Sequence, residues 1–191
     1  MTLGMNTGMK KPIAAIAMRV AALAMLAGLA ACATAADPGA MTLAAPQTAA
    51  APFPTPLLHA MCVRDVTGGE ETNPLWVSKV DNAGFKAALS SSLDAAGLSA
   101  GSGTCAYPVD VHLLGLSQPA LGFDLTVTSH VNYKVYDASG QPYALATIDA
   151  PYTATVGDAF IAVQRLKLAN EGSIRTSIQM FFDKLRQNHP N

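Results

Sequence analysis

The alternation of apolar and polar side chains along residues 123–136 restricts the fold of this chain more than any other feature of its sequence. Six large apolar side chains fall on one side of the segment: Phe123, Leu125, Val127, Val131, Tyr133 and Val135. Ser129 is the one break on that side. Successive side chains of a β-strand point to opposite faces of a sheet, so this alternation predicts a long strand with one buried face and one face in water.

Neighbouring segments extend this pattern into a sheet. Leu57–Val66 is predicted as a first strand, residues 109–113 alternate in the same way, and Pro142–Thr155 is expected to return antiparallel after a turn. Because proline cannot donate a ladder hydrogen bond, the two prolines of the last segment, Pro142 and Pro151, indicate that it is irregular or lies at an edge.

Two segments have helical spacing. Val80–Leu98 places Phe85, Leu89 and Leu93 on one stripe, with Asp81 or Asn82 as the cap and Gly97 as the stop.

Asp158–Gln187 is predicted as a long closing helix. Its expected buried stripe is Phe160, Val163, Leu166, Ile174, Ile178, Phe181 and Leu185. Gly172 is expected to kink this helix, and Asp158, Lys184 and Arg186 are placed to complement the helix dipole.

The predicted element order is therefore β-α-β-β-β-α. We expect an α+β two-layer sandwich, in which two helices pack on one face of a mixed four-stranded sheet and the other face stays open. Residues 57–191 have the length of one ordinary domain.

The N-terminal residues have the pattern of a secretory signal. Lys10, Lys11 and Arg19 precede the apolar run Val20–Leu29, which is too short to span a membrane as a stable helix. Leu29-Ala30-Ala31-Cys32 matches a lipobox, which predicts a bacterial lipoprotein signal peptide over residues 1–31 and a diacylglycerol on the sulfur of Cys32. The alternative is an ordinary cleaved signal, because Ala31-Cys32-Ala33 also fits a small-x-small site.

An acyl anchor attaches the protein to a membrane without any apolar patch of its own. In lipoproteins of this type an Asp after the cysteine retains the product in the inner membrane. Ala33 stands there instead, so we expect the outer membrane, with the domain facing the periplasm and cell-surface exposure as an alternative. Residues 32–56, with five prolines and a single charge, are predicted as the lipidated cysteine and a tether.

The charge balance after residue 31 excludes some partners. Without Lys10, Lys11 and Arg19 the chain keeps nine basic and 13 acidic groups, a formal net charge of −4. An acidic domain without a Lys/Arg cluster is a poor candidate for nucleic acid or for anionic lipid headgroups.

Cysteine usage suggests one disulfide. With Cys32 assigned to lipid, Cys62 and Cys105 remain as an even pair in an oxidising compartment. A bond between them closes a loop of about 43 residues. The alternative is two small buried hydrophobic residues that never meet. Neither has a His or second Cys at ligand spacing, so no metal site is expected.

The lipobox, the proline-rich tether and the β-α-β-β-β-α order resemble small periplasmic lipoproteins of Gram-negative bacteria. The nearest resemblance is to helper subunits of envelope machines, namely the lipopolysaccharide-assembly lipoprotein that plugs an outer-membrane barrel and the auxiliary lipoproteins of lipid-transport systems. Residues 169–185 (ANEGSIRTSIQMFFDKL) look like the closing helix of such domains. The resemblance covers about residues 57–187, and it carries over no functional residue.

No catalytic spacing is recognised in the chain. There is no Ser-x-x-Lys motif, and the four histidines are scattered. His112 and His130 are expected on adjacent strands, where they either face each other or are ordinary exposed residues. Glu70-Glu71 and Asp149 are expected in turns.

Two apolar features remain as candidate contacts. Trp76 precedes the first helix and either covers the core edge or belongs to a contact patch, and Leu121 lies at the tip of the Ser117–Gly122 loop. We therefore expect a non-enzymatic accessory lipoprotein with no cofactor, which acts through an envelope protein partner. The alternative is a lipid- or small-ligand-binding module, with small residues of the first helix (Ala87, Ala88, Ser91, Ala95) leaving room for a cavity.

Overall fold

A four-stranded mixed sheet organises the residues that the computed structural model describes, 33–44, 52–72 and 78–187. Its strands lie side by side in chain order: β1 (Met61–Thr67), β2 (Tyr107–Ser117), β3 (Leu125–Tyr136) and β4 (Pro142–Ala154). β1 and β2 are parallel, and the other two pairs are antiparallel. Helices cover one face, so the predicted α+β class and element order are confirmed.

Three helices lie within the described residues: α1 (Pro38–Met41), α2 (Asn82–Ala95) and α3 (Ala162–Gln187). The carboxylate of Asp81 accepts a hydrogen bond from the backbone N–H of Gly84 at 2.7 Å, which identifies Asp81 as the cap of α2. Gly97 has a φ of +70°, the left-handed conformation predicted for the helix stop. α2 therefore begins and ends where its local sequence directs.

Aromatic rings fill the space between the sheet and the helices. The rings of Tyr133 and Phe181 are stacked with centroids 4.3 Å apart, and Phe85 meets Tyr133 edge-on at 6.4 Å. The Tyr133 hydroxyl contacts the Ser177 hydroxyl at 2.9 Å, and burial raises the pKa of Tyr133. This packing leaves the tyrosine protonated and hydrogen-bonded inside an apolar layer.

Ser129 is buried on the inner side of β3 because a partner serine meets it there. The Ser129 backbone N–H donates to the Ser173 hydroxyl at 2.8 Å, and that hydroxyl donates to the Ala150 carbonyl at 2.8 Å. The serine pair connects α3 to two strands, so the break in the apolar alternation is a hydrogen-bonded contact between layers.

Two predicted core residues are exposed instead, because both elements begin later than predicted. Phe123 precedes the first residue of β3, and 87% of it is exposed. Phe160 precedes α3, which begins at Ala162, and 89% of it is exposed. Asp158 also lies before the helix, where its carboxylate accepts from the Thr155 backbone N–H at 2.7 Å. Asp158 therefore stabilises a turn rather than the dipole of α3.

The disulfide between Cys62 and Cys105 is present, with their Cα atoms 5.7 Å apart. It joins β1 to the segment that leads into β2, 43 residues later in the chain. The pairing interpretation of the two cysteines is therefore the one that the structure supports.

Residues 33–44, which we call the N-terminal arm, are packed on the domain where the sequence predicts a tether. Met41 and Leu43 are buried in the main core, and α1 contacts both α2 and α3. The Asp37 backbone N–H donates to the Glu171 carboxylate at 2.7 Å, and the Leu43 N–H donates to the Ser92 hydroxyl at 3.0 Å. The arm folds because its apolar side chains and backbone groups find partners on two helices.

Candidate functional site

The predicted site residues fall into two groups. Cys32 and Trp76 lie outside the described residues, so both remain sequence-based expectations. Leu121 is described, and 91% of it is exposed, as a contact residue at a loop tip requires.

Leu121 belongs to a cluster of exposed apolar side chains that we call the apolar tip. It consists of Leu121, Phe123, Val156, Phe160 and Ile161. They come from the loop between β2 and β3 and the loop between β4 and α3. The Val156 backbone N–H donates to the Asp124 carboxylate at 3.4 Å, which joins the two loops. We call this end of the sheet, where β2 and β4 finish and β3 begins, the loop end.

The N-terminal arm also starts at the loop end. The Ser78 hydroxyl donates to the Thr34 carbonyl at 2.8 Å, and the Ala36 N–H donates to the Lys79 carbonyl at 3.2 Å. The Ser78 carbonyl in turn accepts from the Gln118 side chain at 3.2 Å. Gln118 begins the β2–β3 loop, so Ser78 connects the start of the arm to the base of the apolar tip.

An open groove of about 440 Å³ lies at the opposite end of the sheet. It is formed by the start of β4 and the last turns of α3, and its lining includes Leu145, Phe181, Lys184 and Leu185. β4 is an edge strand, as its prolines predict, and 67% of Leu145 is exposed. We call this region the edge groove.

The open face of the sheet carries a row of hydrogen-bonded polar side chains. The Ser117 hydroxyl contacts Nε2 of His130 at 2.9 Å, and Nδ1 of His130 contacts the Asp149 carboxylate at 2.6 Å. The prediction of Asp149 in a turn is wrong, since it pairs with His130 across β3 and β4. The sequence reasoning missed this row because each residue comes from a different strand.

The two sheet histidines do not face each other. His112 lies opposite Asn132, and its Nδ1 contacts the Thr67 hydroxyl at 2.8 Å. His130 lies opposite Gly115, beyond an irregularity in the β2–β3 register. The interpretation of both as exposed sheet residues therefore fits the structure better than a histidine pair.

A bidentate ion pair lies on the open face between β1 and β2. Arg64 on β1 donates to the Asp110 carboxylate on β2 through Nε at 2.7 Å and through Nη2 at 2.5 Å. These hydrogen bonds lower the pKa of Asp110. The pair links the two parallel strands, and it leaves Asp110 charged at neutral pH.

Residues 97–101 (GLSAG) match the G-x-S-x-G pattern of a nucleophile elbow, a match that the sequence reasoning passed over. In that elbow the serine stands between a strand and the helix that follows it. Here the segment follows α2, and the Ser99 hydroxyl accepts from the Gly101 N–H at 3.2 Å in a local turn. The motif therefore lacks the structural context that its chemistry needs.

The described residues contain neither a helix that could span a membrane nor a cluster that could bind a metal ion. Within residues 33–44, 52–72 and 78–187, no helix is both long and apolar enough to cross a membrane. The same residues bring together no group of three or more His, Cys, Asp or Glu side chains that could hold a metal ion.

Comparison with known proteins gives partial structural matches to two bacterial proteins. No family model and no curated protein matches the chain. A "putative lipoprotein" from Caulobacter crescentus CB15 is 17% identical with a TM-score of 0.38, over 50% of this chain and 74% of its own. A Xanthomonas campestris protein of the DUF330 family is 10% identical with a TM-score of 0.47, over 69% of this chain and 77% of its own. Both TM-scores are below 0.5, so neither structure indicates the function of this chain.

Proposed function

We propose that this protein is a lipid-anchored lipoprotein of the bacterial envelope, attached through Cys32, that acts through protein contacts and without catalysis of its own. The lipobox supports the anchor, and Ala33 after it favours the outer membrane with the domain facing the periplasm. The folded arm supports a domain that works close to its membrane.

The edge groove is the single observation that carries the accessory role. β4 is an unpaired edge among the described strands, and the groove beside it offers apolar lining at Leu145 and Phe181 with a cation at Lys184. An extended segment of a partner protein can add to such an edge through backbone hydrogen bonds, while its side chains enter the groove. Because nine to ten residues of β4 separate the groove from the strand's last residue, Ala154, the groove lies about 30 Å from the loop end, where the chain enters the domain.

A crosslinking experiment in cells tests the partner contact. A photo-crosslinking residue placed at Leu145 or at Lys184 should capture one extended stretch of the same envelope protein. Leu114 on β2, which is also an exposed apolar strand residue, is the matched control and should capture nothing. Equal capture at Leu114 and Leu145, or none at Leu145, would contradict the proposed contact.

The anchor is tested separately by intact mass. The mature protein extracted from membranes should begin at Cys32 and carry the mass of its acyl chains. A Cys32→Ala variant should carry none. A mature wild-type chain that starts at Ala33 or Thr34 would instead support the ordinary cleaved signal.

A hydrolase is a second candidate function, since Ser117, His130 and Asp149 are hydrogen-bonded in the order of a nucleophile, a base and an orienting carboxylate. The row lies on the open sheet face, and the Asp149 side chain is 68% exposed. Catalysis of this kind depends on a water-excluded site that stabilises the oxyanion. Labelling of wild type but not of Ser117→Ala by a fluorophosphonate probe, together with ester turnover, would establish this function instead.

A ligand-binding module between the layers has less support. Of the small helix residues expected to leave room, Ala87, Ser91 and Ala95 face the solvent. Ala88 is buried in the core, where the stacked rings of Tyr133 and Phe181 take up the space between α3 and the sheet.

A further inference from the structure

We propose that the apolar tip docks on the bilayer surface and gives the domain a second attachment beside its lipid. The proposal rests on the lipidation of Cys32 proposed above, and it adds which end of the domain touches the membrane. Three observations carry it: the position where the arm starts, the packing of the arm on the domain and the exposed apolar side chains. The local charge then indicates which lipid surface the tip can bind.

The arm starts at the same end of the domain as the apolar tip. Ala33 is buried, and Thr34 is held by the Ser78 hydroxyl at 2.8 Å. The Ser78 carbonyl accepts from Gln118 at 3.2 Å and from the side chain of Asn170 at 2.8 Å. The first residues of the arm, the base of the β2–β3 loop and helix α3 therefore meet around Ser78.

The arm leaves no free length of chain between Cys32 and the folded domain. Consecutive Cα atoms of a chain lie about 3.8 Å apart, so Cys32 is one residue from a buried position. The acyl chains of a lipidated Cys32 lie in the bilayer, and they bring Ala33 to its surface. The loop end then faces the membrane. The domain could move away from the bilayer only if the packed arm first unfolded.

The apolar tip has the chemistry of a membrane contact. Leu121, Phe123 and Phe160 are 87–91% exposed, although side chains of this kind are usually buried. The loop before α3 is held in place by the buried Arg165, whose Nη1 donates to the carbonyls of Ala159 at 2.8 Å and Phe160 at 2.6 Å. A tip that is already ordered enters the interface without a further loss of conformational entropy.

The charge at the loop end indicates how the tip binds. Glu70, Glu71, Asp124 and Asp158 lie in the loops of this end, and Lys79 is paired with Glu70 at 3.3 Å. An acidic end has no attraction for anionic headgroups. Docking must therefore come from the burial of apolar side chains, and we expect it to persist on a neutral phosphatidylcholine surface and at high salt.

Fluorescence quenching tests the proposal on the full lipoprotein. Trp76→Phe removes the one native tryptophan, and Phe160→Trp, Phe123→Trp or Leu145→Trp then places a single probe in each variant. Each lipidated protein is reconstituted in vesicles of brominated phosphatidylcholine, after intact mass has shown its acyl chains and circular dichroism its fold. Leu145 is the matched control, because it is an exposed apolar residue at the opposite end.

We expect the probes at 160 and 123 to be quenched about twofold or more, since interfacial side chains reach about 5–10 Å into the headgroup boundary. The probe at 145 should stay unquenched. Salt at 0.5 M shortens the Debye length to roughly 4 Å and weakens only interactions between charges, so it should change none of these results. The two tip positions provide independent readings, so one misfolded variant does not decide the result.

Several results would overturn the docking proposal. Acylated protein with unquenched probes at 123 and 160 overturns it while leaving the proposed anchor intact. Equal quenching at 145 and 160, or quenching lost at high salt, overturns the assignment to the apolar tip. Crosslinking of an unquenched tip to a protein would make it a protein contact instead. Protein without acyl mass overturns both proposals.

Discussion

At Gly172 the ring of Tyr152 on strand β4 packs directly against helix α3. A Cβ atom at this position would lie 2.2–2.4 Å from ring carbons of Tyr152, far inside van der Waals contact. α3 runs as one helix from Ala162 to Gln187, and the glycine in it makes room for the Tyr152 ring. The absence of a side chain at one residue therefore decides how closely the two layers pack.

Replacing Gly172 should destabilise the protein despite the better helix propensity of alanine. We expect Gly172→Ala to lower the free energy of unfolding by about 1–3 kcal/mol, because the methyl group displaces the Tyr152 ring. In a Tyr152→Ala background the same change should be neutral or should stabilise by up to about 1 kcal/mol. Urea denaturation of the four proteins measures this, and an unchanged sign in the second background would contradict the explanation.

The arm is the element whose packing on the domain differs most from what the sequence predicts. It carries four buried apolar residues, of which Met41 and Leu43 are the large ones, and its backbone is held by Glu171 on α3 and Ser92 on α2. Arg175 also donates to the Ala40 carbonyl. The proline-rich composition of residues 33–56 suggested a tether because proline and alanine show no periodic pattern. The arm folds through contacts with α2 and α3, and no pattern within residues 33–44 themselves could predict those contacts.

Truncating a buried side chain of the arm should therefore lower the free energy of unfolding as much as truncating a side chain of the sheet or of the long helices. We expect Met41→Ala to lower the free energy of unfolding by about 2–5 kcal/mol, since the side chain is fully buried. Leu121→Ala is the matched control, and it should change stability by no more than about 0.5 kcal/mol. Chemical denaturation followed by circular dichroism measures both, and an arm that behaves like the control would show that it is a tether.

The disulfide connects the first strand to the segment before the second. Reduction should lower the free energy of unfolding by up to about 4 kcal/mol, because the reduced unfolded chain regains the freedom of a 43-residue loop. The Cys62→Ser/Cys105→Ser double variant should match the reduced wild type and should not respond to reductant. Equal stability of the oxidised and reduced wild type would contradict a stabilising role.

At the scale of the whole molecule, the two ends of the domain have different chemistry. The loop end carries the start of the arm and the apolar tip, and the other end carries the edge groove. The open sheet face between them is polar and hydrogen-bonded through Ser117, His130 and Asp149. The proposed membrane contact and the proposed partner contact therefore fall at opposite ends of the domain.

Carboxyl groups held by hydrogen bonds make the whole domain sensitive to acid. Arg64 lowers the pKa of Asp110, and hydrogen bonds from Ser139 and Thr155 lower the pKa of Asp137 and Asp158. An ordinary Asp titrates near 3.8, so the unfolded chain takes up protons before the folded one. The stability from these bonds is present above that pH and is lost as the pH falls through the lower folded pKa values.

We therefore expect the free energy of unfolding to fall as the pH is lowered from about 5 to about 2. The triple variant Asp110→Asn, Asp137→Asn and Asp158→Asn should lose less stability over the same range, because three of the linked protons are gone. Urea titrations at a series of pH values measure both slopes. Parallel curves for the two proteins would show that other groups cause the acid sensitivity.

Local patterns in the sequence determined the elements of this protein. The alternation along residues 123–136 predicted β3, the spacing of Phe85, Leu89 and Leu93 predicted α2, and two prolines predicted that β4 is an edge. Each of these signals acts within a few residues, through side-chain direction, helix capping or a missing N–H group. The lipobox at Cys32 is equally local, and it predicts an acyl anchor that attaches the protein to a membrane.

Only the tertiary structure decided which distant residues meet. The irregularity between Leu113 and Gly115 sets the register that brings Ser117 beside His130. Burial of Met41 and Leu43 depends on surfaces that α2 and α3 form together. The joining of the arm to the β2–β3 loop through Ser78 places an exposed Leu121 at the end where the chain enters the domain. Such contacts arise from packing between elements far apart in the chain, so the sequence predicted the elements, while packing decided that the start of the arm and the apolar tip lie at the same end of the domain.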